Sequence, residues 1–162
     1  MVLRGKLSAE IEIKSHPENY FERMKEELHH LPDAVSGIHG VEVHEGDFKT
    51  HGSKSWSYTL DGKKETFKER FQIDEASWSV TMVAVDGNIL KRYKSYMVLY
   101  KIVPATIHEP PTVKVTLAYE KYKEADADPH KEMEFMITMV EEIDKHLLAH
   151  LLAGPVISNK AT

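Results

Sequence analysis

The residues best suited to chemistry in this chain are one carboxyl group and three phenols on predicted strands, Glu69, Tyr58, Tyr93 and Tyr119. Strand alternation gives them the parity of the apolar residues around them, so they are expected to face the interior. Desolvation raises the pKa of a carboxyl group there, which suits proton transfer near neutral pH. The alternatives are that Glu69 faces solvent or pairs with a strand neighbour. Binding is favoured over catalysis, because no arrangement of residues demands chemistry.

Other kinds of site have little support. The chain has no cysteine and no Gly-x-Ser-x-Gly motif, so a thiol or elbow serine nucleophile is excluded. His146 and His150 have the helical spacing of a zinc pair, but no third ligand is evident, and His is favourable at a helix C-terminus. Segment 45–53 has two glycines and no Gly-Lys-Ser/Thr, so it does not predict phosphate binding. We therefore expect no metal and no cofactor.

Length and charge limit the remaining classes of protein. The 162 residues are enough for one domain with a hydrophobic core, assigned to 1–154, and 155–162 reads as a disordered tail. A net charge of -5 gives no basic surface for nucleic acid or anionic lipid. No apolar run approaches the roughly twenty residues of a membrane span, and the N-terminus lacks a signal-peptide core. We expect a soluble, cytoplasmic protein.

The elements that must position the candidate residues follow from periodicity. Ser15 to Glu18 reads as a capping box that begins a short helical stretch, broken in two, which ends before Pro32. Tight-turn signals at Asp61-Gly62 and at 86–88 separate consecutive strands, which predicts an antiparallel meander. Strands are predicted over 3–14, 40–45, 53–60, 64–74, 77–85, 89–103 and 112–122.

A long helix is predicted over 129–153. Its apolar residues recur every three or four positions and form one stripe, with three methionines in its first half. Methionine adapts to varied apolar partners, so this stripe suits a cavity wall, although periodicity alone favours ordinary core packing. The stripe residues assigned to the wall are Phe135, Met136, Met139, Val140 and Ile143.

The order of these elements resembles the helix-grip fold of the birch-pollen-allergen superfamily and, within it, the plant major latex protein family. The resemblance covers nearly the whole chain, and it depends on six segments in family-like order and spacing. These segments are Leu3-Arg4-Gly5-Lys6-Leu7, Gly40-Val41-Glu42-Val43-His44-Glu45-Gly46-Asp47, Trp56-Ser57-Tyr58-Thr59-Leu60-Asp61-Gly62-Lys63, Phe67-Lys68-Glu69-Arg70, Tyr119-Glu120-Lys121 and the acidic loop ending Asp128-Pro129.

The resemblance implies an α+β fold: a seven-stranded curved antiparallel sheet, two short helices and a long C-terminal helix enclosing a cavity. It also implies a cytoplasmic plant protein that binds hormones or secondary metabolites in defence or stress responses. Alternatives are an enzyme acting on a bound metabolite by acid/base chemistry, of isomerase or cyclase type, and a ligand-gated interaction protein. Independently of the resemblance, strand parity predicts Tyr58, Glu69 and Tyr119 as polar anchors that orient a ligand. Besides these and the helix residues, the predicted wall contains Phe21, Met24, Trp56, Phe67, Phe71, Met82, Met97 and Leu99.

Overall fold

The structure is a computed structural model, and it describes residues 3–26, 37–46 and 51–161. These ranges contain seven strands and three helices. The strands are β1 (Arg4–Glu12), β2 (Ile38–Gly46), β3 (His51–Leu60), β4 (Lys63–Asp74), β5 (Ser79–Gly87), β6 (Tyr93–Val103) and β7 (Thr112–Lys121). The helices are α1 (Pro17–Glu26), α2 (Ile89–Arg92) and α3 (His130–Ala161).

All seven strands form one antiparallel sheet in the order β1-β7-β6-β5-β4-β3-β2. From β2 to β7, each strand pairs with the next one along the chain, which is the predicted meander. β1 pairs instead with β7, so the first and last strands of the chain lie side by side. The α+β fold class predicted from the sequence, a curved sheet with short helices and one long C-terminal helix, is confirmed.

The turn between β3 and β4 shows how local sequence fixes the register of the sheet. Asp61 and Gly62 form a two-residue connection, and their φ angles are 52° and 77°. Both values are positive, as a type I′ hairpin turn requires, and Asp-Gly is among the pairs that tolerate them best. The turn sets Leu60 opposite Lys63, and the same register places Trp56 opposite Phe67 and Lys54 opposite Glu69.

Helix α3 contacts β1, β3 and β7, and it is fixed to the β1–α1 junction by a buried carboxylate. Asp144 accepts hydrogen bonds from the backbone N–H groups of Lys14 and Ser15, each at 2.9 Å, and from the Ser15 hydroxyl. The Tyr20 hydroxyl donates to the backbone carbonyl of Val140 at 3.0 Å. Ser15 therefore binds α3, whereas the sequence predicted that it would cap α1.

Strand β6 contains a β-bulge near its start, and the sequence did not predict this bulge. The pairing of β6 with β7 shifts between Tyr93 and Ser95, so one residue is added before the regular alternation resumes. Beyond this bulge the buried residues are Tyr96, Val98, Tyr100 and Ile102, and the residues between them face the other side of the sheet. The predicted inward placement of Met97 and Leu99 is therefore wrong. Met97 is 37% exposed.

Some element boundaries also differ from prediction. The strand predicted over 89–103 begins with the short helix α2, and α3 continues past 153 to Ala161, into the segment predicted as a tail. The second short helix and part of segment 45–53 lie outside the described residues. Of the described helices, none has an apolar stretch long enough to cross a membrane.

Candidate ligand-binding cavity

A cavity of about 70 Å³ lies between the inner face of the sheet and helix α3. Fifteen of the described residues line it; two are glutamates, and the other thirteen are apolar or aromatic. A small-molecule site commonly has this composition, with an apolar wall and few polar groups. The lining residues are Met24, Ile38, Trp56, Tyr58, Leu60, Phe67, Glu69, Met82, Tyr96, Val98, Tyr100, Glu132, Phe135, Met136 and Met139.

Aromatic contacts join the elements around the cavity. The rings of Tyr58 on β3 and Phe135 on α3 are 5.3 Å apart, centroid to centroid. The rings of Phe67 on β4 and Tyr96 on β6 are 5.8 Å apart and meet edge to face. Both separations lie in the favourable range for aromatic pairs, so these contacts stabilise the wall on two sides.

Glu69 is the most unusual group in the wall, because it is a carboxyl group with 0% of its surface exposed. The indole N–H of Trp56 donates to its Oε1 atom. Burial raises the pKa of Glu69 to about 7, although the nearby Lys54 charge and the Trp56 hydrogen bond favour the ionised form. The alternative that Glu69 faces solvent is excluded, and its predicted inward placement is confirmed.

Lys54 lies beside Glu69 across the β3–β4 pair, and it too is 0% exposed. Its ammonium nitrogen is 3.7 Å from the centroid of the Phe71 ring, within the range of a cation–π contact. Burial lowers the pKa of Lys54, and attraction to Glu69 opposes this shift. The core therefore contains an acid and a base side by side.

A cluster of three charged residues lies at the end of the cavity that Glu132 lines. Arg92 on α2 binds Glu65 on β4, with an Nη1–Oε1 distance of 2.8 Å, and Glu132 on α3, with an Nη2–Oε2 distance of 3.4 Å. The pKa of the nearby Tyr58 phenol is raised, mainly by burial and then by the Glu65 charge. The cluster joins three elements around the end of the cavity that Glu132 lines.

Tyr93 and Tyr119 support the loop before α3 and do not line the cavity. The Tyr93 hydroxyl donates to the Ala127 carbonyl at 3.0 Å, and the Tyr119 hydroxyl donates to Asp128 at 2.9 Å. Gly5 lies opposite Tyr119 on β1, where an added Cβ would sit 2.4 Å from the phenol oxygen. Gly5 therefore leaves the space in which Tyr119 crosses β1.

Nine residues that the sequence predicted for the wall line this cavity; that they bind a ligand remains a prediction. They are Met24, Trp56, Tyr58, Phe67, Glu69, Met82, Phe135, Met136 and Met139. The other predicted residues lie elsewhere in the described structure. Phe21, Phe71, Tyr119, Val140 and Ile143 are buried in the core, whereas Met97 and Leu99 face away from it.

Sequence reasoning missed six lining residues. The residues on β6 were missed because of the bulge. The set of alternate residues that faces the cavity contains no charged side chain, whereas the other set contains Lys101, and this difference could have identified the inward face. Ile38 begins β2 and Leu60 ends β3, each next to a turn, and Glu132 is a charged residue in the first turn of α3. The missed residues are Ile38, Leu60, Tyr96, Val98, Tyr100 and Glu132.

Metal binding has no structural basis among the described residues. No group of three or more His, Asp or Glu side chains there could hold an ion. The His146 ring lies 3.0 Å from the Arg23 guanidinium, Nδ1 to Nη1, which places this histidine in contact with α1.

Comparison with known proteins identifies the class to which this fold and cavity belong. Residues 2–150 match the Pathogenesis-related protein Bet v 1 family, and the chain belongs to that family. The chain is 32% identical over 150 residues to MLP-like protein 328 of Arabidopsis thaliana, covering 91% of this chain and 99% of that one. It is 28% identical over 151 residues to major latex protein 146 of Papaver somniferum, covering 91% of this chain and 93% of that one. The resemblance to the major latex protein family is confirmed.

Solved structures agree with this assignment. The crystal structure of ginseng major latex-like protein 151 from Panax ginseng has a TM-score of 0.84 and 31% identity, covering 91% of this chain and 99% of that one. Norcoclaurine synthase from Thalictrum flavum has a TM-score of 0.76 at 19% identity, covering 91% of this chain and 88% of that one. At that identity the likeness shows the fold alone.

Proposed function

We propose that this protein binds and carries hydrophobic small molecules in the cavity between its sheet and α3. The observation that carries the proposal is the wall itself, in which thirteen of the fifteen described lining residues are apolar or aromatic and the Glu69 carboxyl group has no exposed surface. Such a wall favours an apolar ligand body, and its few polar groups can orient the ligand. Plant hormones or secondary metabolites are the ligand classes we propose. A role in defence or stress is in keeping with a pathogenesis-related family.

The size of the cavity determines how a ligand can enter. Its volume of about 70 Å³ is well below the roughly 300–1,000 Å³ of typical ligand pockets. Binding therefore requires side chains to move aside. Met136 and Met139 on α3 and Met24 on α1 line the space, and methionine changes its shape easily because its side chain is unbranched. We expect these three residues to move when the cavity fills.

The first experiment measures binding of a neutral apolar fluorescent probe, Nile red, by the wild type and by Met139→Trp. The larger side chain fills cavity volume, so the affinity for the probe is expected to fall by about tenfold or more, which is about 1.4 kcal/mol. Met97→Trp is the matched control, because it makes the same change on the outer face of β6. Its affinity is expected to match that of the wild type.

The result that would contradict this proposal is equal probe binding by folded Met139→Trp and wild-type protein. Native mass spectrometry of protein purified from its own tissue provides an independent test. A co-purifying apolar compound at near-equal stoichiometry would support carriage and would identify the ligand. An empty protein that also fails to bind the probe would refute the proposal.

A second candidate function is acid/base catalysis on a bound metabolite. The observation that favours it is the Glu69 carboxyl group, with a pKa raised to about 7, facing the cavity beside Tyr100. A group with such a pKa can accept or donate a proton near neutral pH. Mass spectrometry of a bound compound before and after incubation distinguishes the two functions, because a carrier returns its ligand unchanged.

A further inference from the structure

The ionisable groups in the described wall of the cavity are all acids. Besides three phenols, the wall carries the carboxyl groups of Glu69 and Glu132, and no Lys, Arg or His side chain lines it among the described residues. A ligand inside would therefore meet phenol hydroxyls, which donate or accept hydrogen bonds, and carboxyl groups, which carry negative charge when ionised, but no cationic group of the described wall. A ligand carboxylate would be opposed by this wall, and a cation would be attracted.

Glu69 offers a specific contact within the wall. Its Oε1 atom accepts the Trp56 hydrogen bond, whereas its Oε2 atom is buried and has no hydrogen-bond partner in the described part of the chain. A buried acceptor without a partner is energetically unfavourable, so a ligand that donates to it gains a contact that water cannot easily supply.

Lys54, the counter-charge of Glu69, does not add a positive group to the wall of the cavity. Lys54 balances Glu69 from the neighbouring strand, but its ammonium group lies against the Phe71 ring and Lys54 does not line the cavity. At the other charged position, Glu65 and Glu132 share the single guanidinium of Arg92. Within these two described groups, three carboxylates (Glu65, Glu69 and Glu132) and two cations (Lys54 and Arg92) lie around the space when all are ionised.

We propose that this cavity selects its ligand by the polar group, taking an apolar body that carries a protonated amine and pairing that amine with Glu69. The inference depends on the proposed binding function, and it adds the chemical class of the ligand. A neutral alcohol binds less tightly, because it donates a hydrogen bond without charge assistance. The corresponding carboxylic acid, which is an anion near neutral pH, binds least tightly.

The experiment compares three ligands that share one ring system, naphthylmethylamine, naphthylmethanol and naphthoic acid. Their affinities for the wild-type protein are measured at about pH 7.5 by displacement of Nile red. The amine is expected to bind about tenfold more tightly than the acid, with the alcohol between them. Equal affinities, or tighter binding of the acid, would overturn the inference.

Two variants assign the preference to a residue. Glu69→Gln keeps the side-chain shape and removes the charge, so the amine is expected to fall to the affinity of the alcohol while the alcohol itself changes by less than about threefold. Glu141→Gln is the matched control on the exposed face of α3 and is expected to behave like the wild type. An amine preference that survives in Glu69→Gln would refute the pairing.

A measurement on unaltered Glu69 covers the case in which Glu69→Gln does not fold. The Trp56 indole N–H is bonded to Glu69, so its NMR signal reports directly on that carboxyl group. The chain has two tryptophans, and Trp78→Phe assigns the signal. The amine should shift this signal strongly and the acid should not; equal shifts would contradict the proposal.

If neither Nile red nor any of the three ligands binds, the proposed binding function itself is refuted. If the three ligands bind with equal affinity, only the selection by the polar group is refuted.

Discussion

At the scale of single residues, the core contains a carboxyl group and an ammonium group, which proteins rarely bury completely. Glu69 on β4 and Lys54 on β3 are opposite each other on adjacent strands, and neither has exposed surface. Desolvation of the pair costs free energy that mutual attraction only partly recovers. A pair with this cost is better explained by a role in the cavity than by stability alone.

The pKa of Glu69 makes a prediction about stability. Its ordinary value is 4.5 and burial raises it to about 7, so the folded state holds this proton more tightly than the unfolded state does. This group therefore lowers the free energy of unfolding as pH rises from about 4.5 to 7, by on the order of 1–3 kcal/mol. Glu69→Gln has no such proton, so its stability relative to the wild type is expected to improve across that window.

Urea denaturation of both proteins at several pH values measures the effect. The groups that face Glu69 are Lys54 on β3 and Tyr100 on β6. Burial lowers the pKa of Lys54 to about 8, and burial with the Glu69 charge raises the pKa of Tyr100. Loss of the Glu69 charge in Glu69→Gln removes the attraction that raises the pKa of Lys54, so the difference in stability between the two proteins reports on the Glu69–Lys54 pair. A constant difference in stability between the two proteins over the window would show that the pKa of Glu69 is not raised.

At the scale of elements, the cavity exists because α3 is held against the sheet. Asp144 contributes three polar contacts at one point of α3, because two backbone N–H donors and the Ser15 hydroxyl converge on it. Asp144→Ala would leave these donors without an acceptor, so we expect a loss of about 2–4 kcal/mol of stability. Chemical denaturation measures the loss.

Glu141→Ala is the comparison for this change, because it removes a carboxylate from the exposed face of the same helix. Its effect is expected to stay within about 0.5 kcal/mol. A similar small effect of Asp144→Ala would mean that packing alone holds α3 in place.

The elements also show how far sequence reasoning reaches. The meander of consecutive strands from β2 to β7 and the inward face of β4 followed from alternation and from the turn signals, since these signals are local. The pairing of β1 with β7 joins distant segments, and no local signal predicts it. The inward residues of β6 did not follow, because the bulge after Tyr93 moves every later residue to the opposite face. Ser15 was misread for a related reason: its partner, Asp144, is distant in sequence, and local spacing contains no information about it.

At the scale of the whole molecule, the sheet and the long helix enclose a space smaller than the ligand we propose. Apolar side chains surround it, and the described charges close to it are arranged in pairs or clusters. A fold of this kind retains stability while some side chains of one wall change position, because the sheet is held by its backbone hydrogen bonds and the Asp144 contact fixes α3. Ligand binding should therefore stabilise the whole domain rather than reorganise it.

Stabilisation of the folded domain by a bound ligand gives a prediction for thermal unfolding. A ligand that binds only the folded state adds about 2.7 kcal/mol at a concentration one hundred times its Kd. For a chain of this size, that corresponds to an increase in Tm of about 5–10 °C. Differential scanning calorimetry with naphthylmethanol should show this increase for the wild type and for Met97→Trp. Met139→Trp should show little increase at the same ligand concentration, because its cavity is already filled; an increase equal to that of the wild type would place the bound ligand outside the cavity.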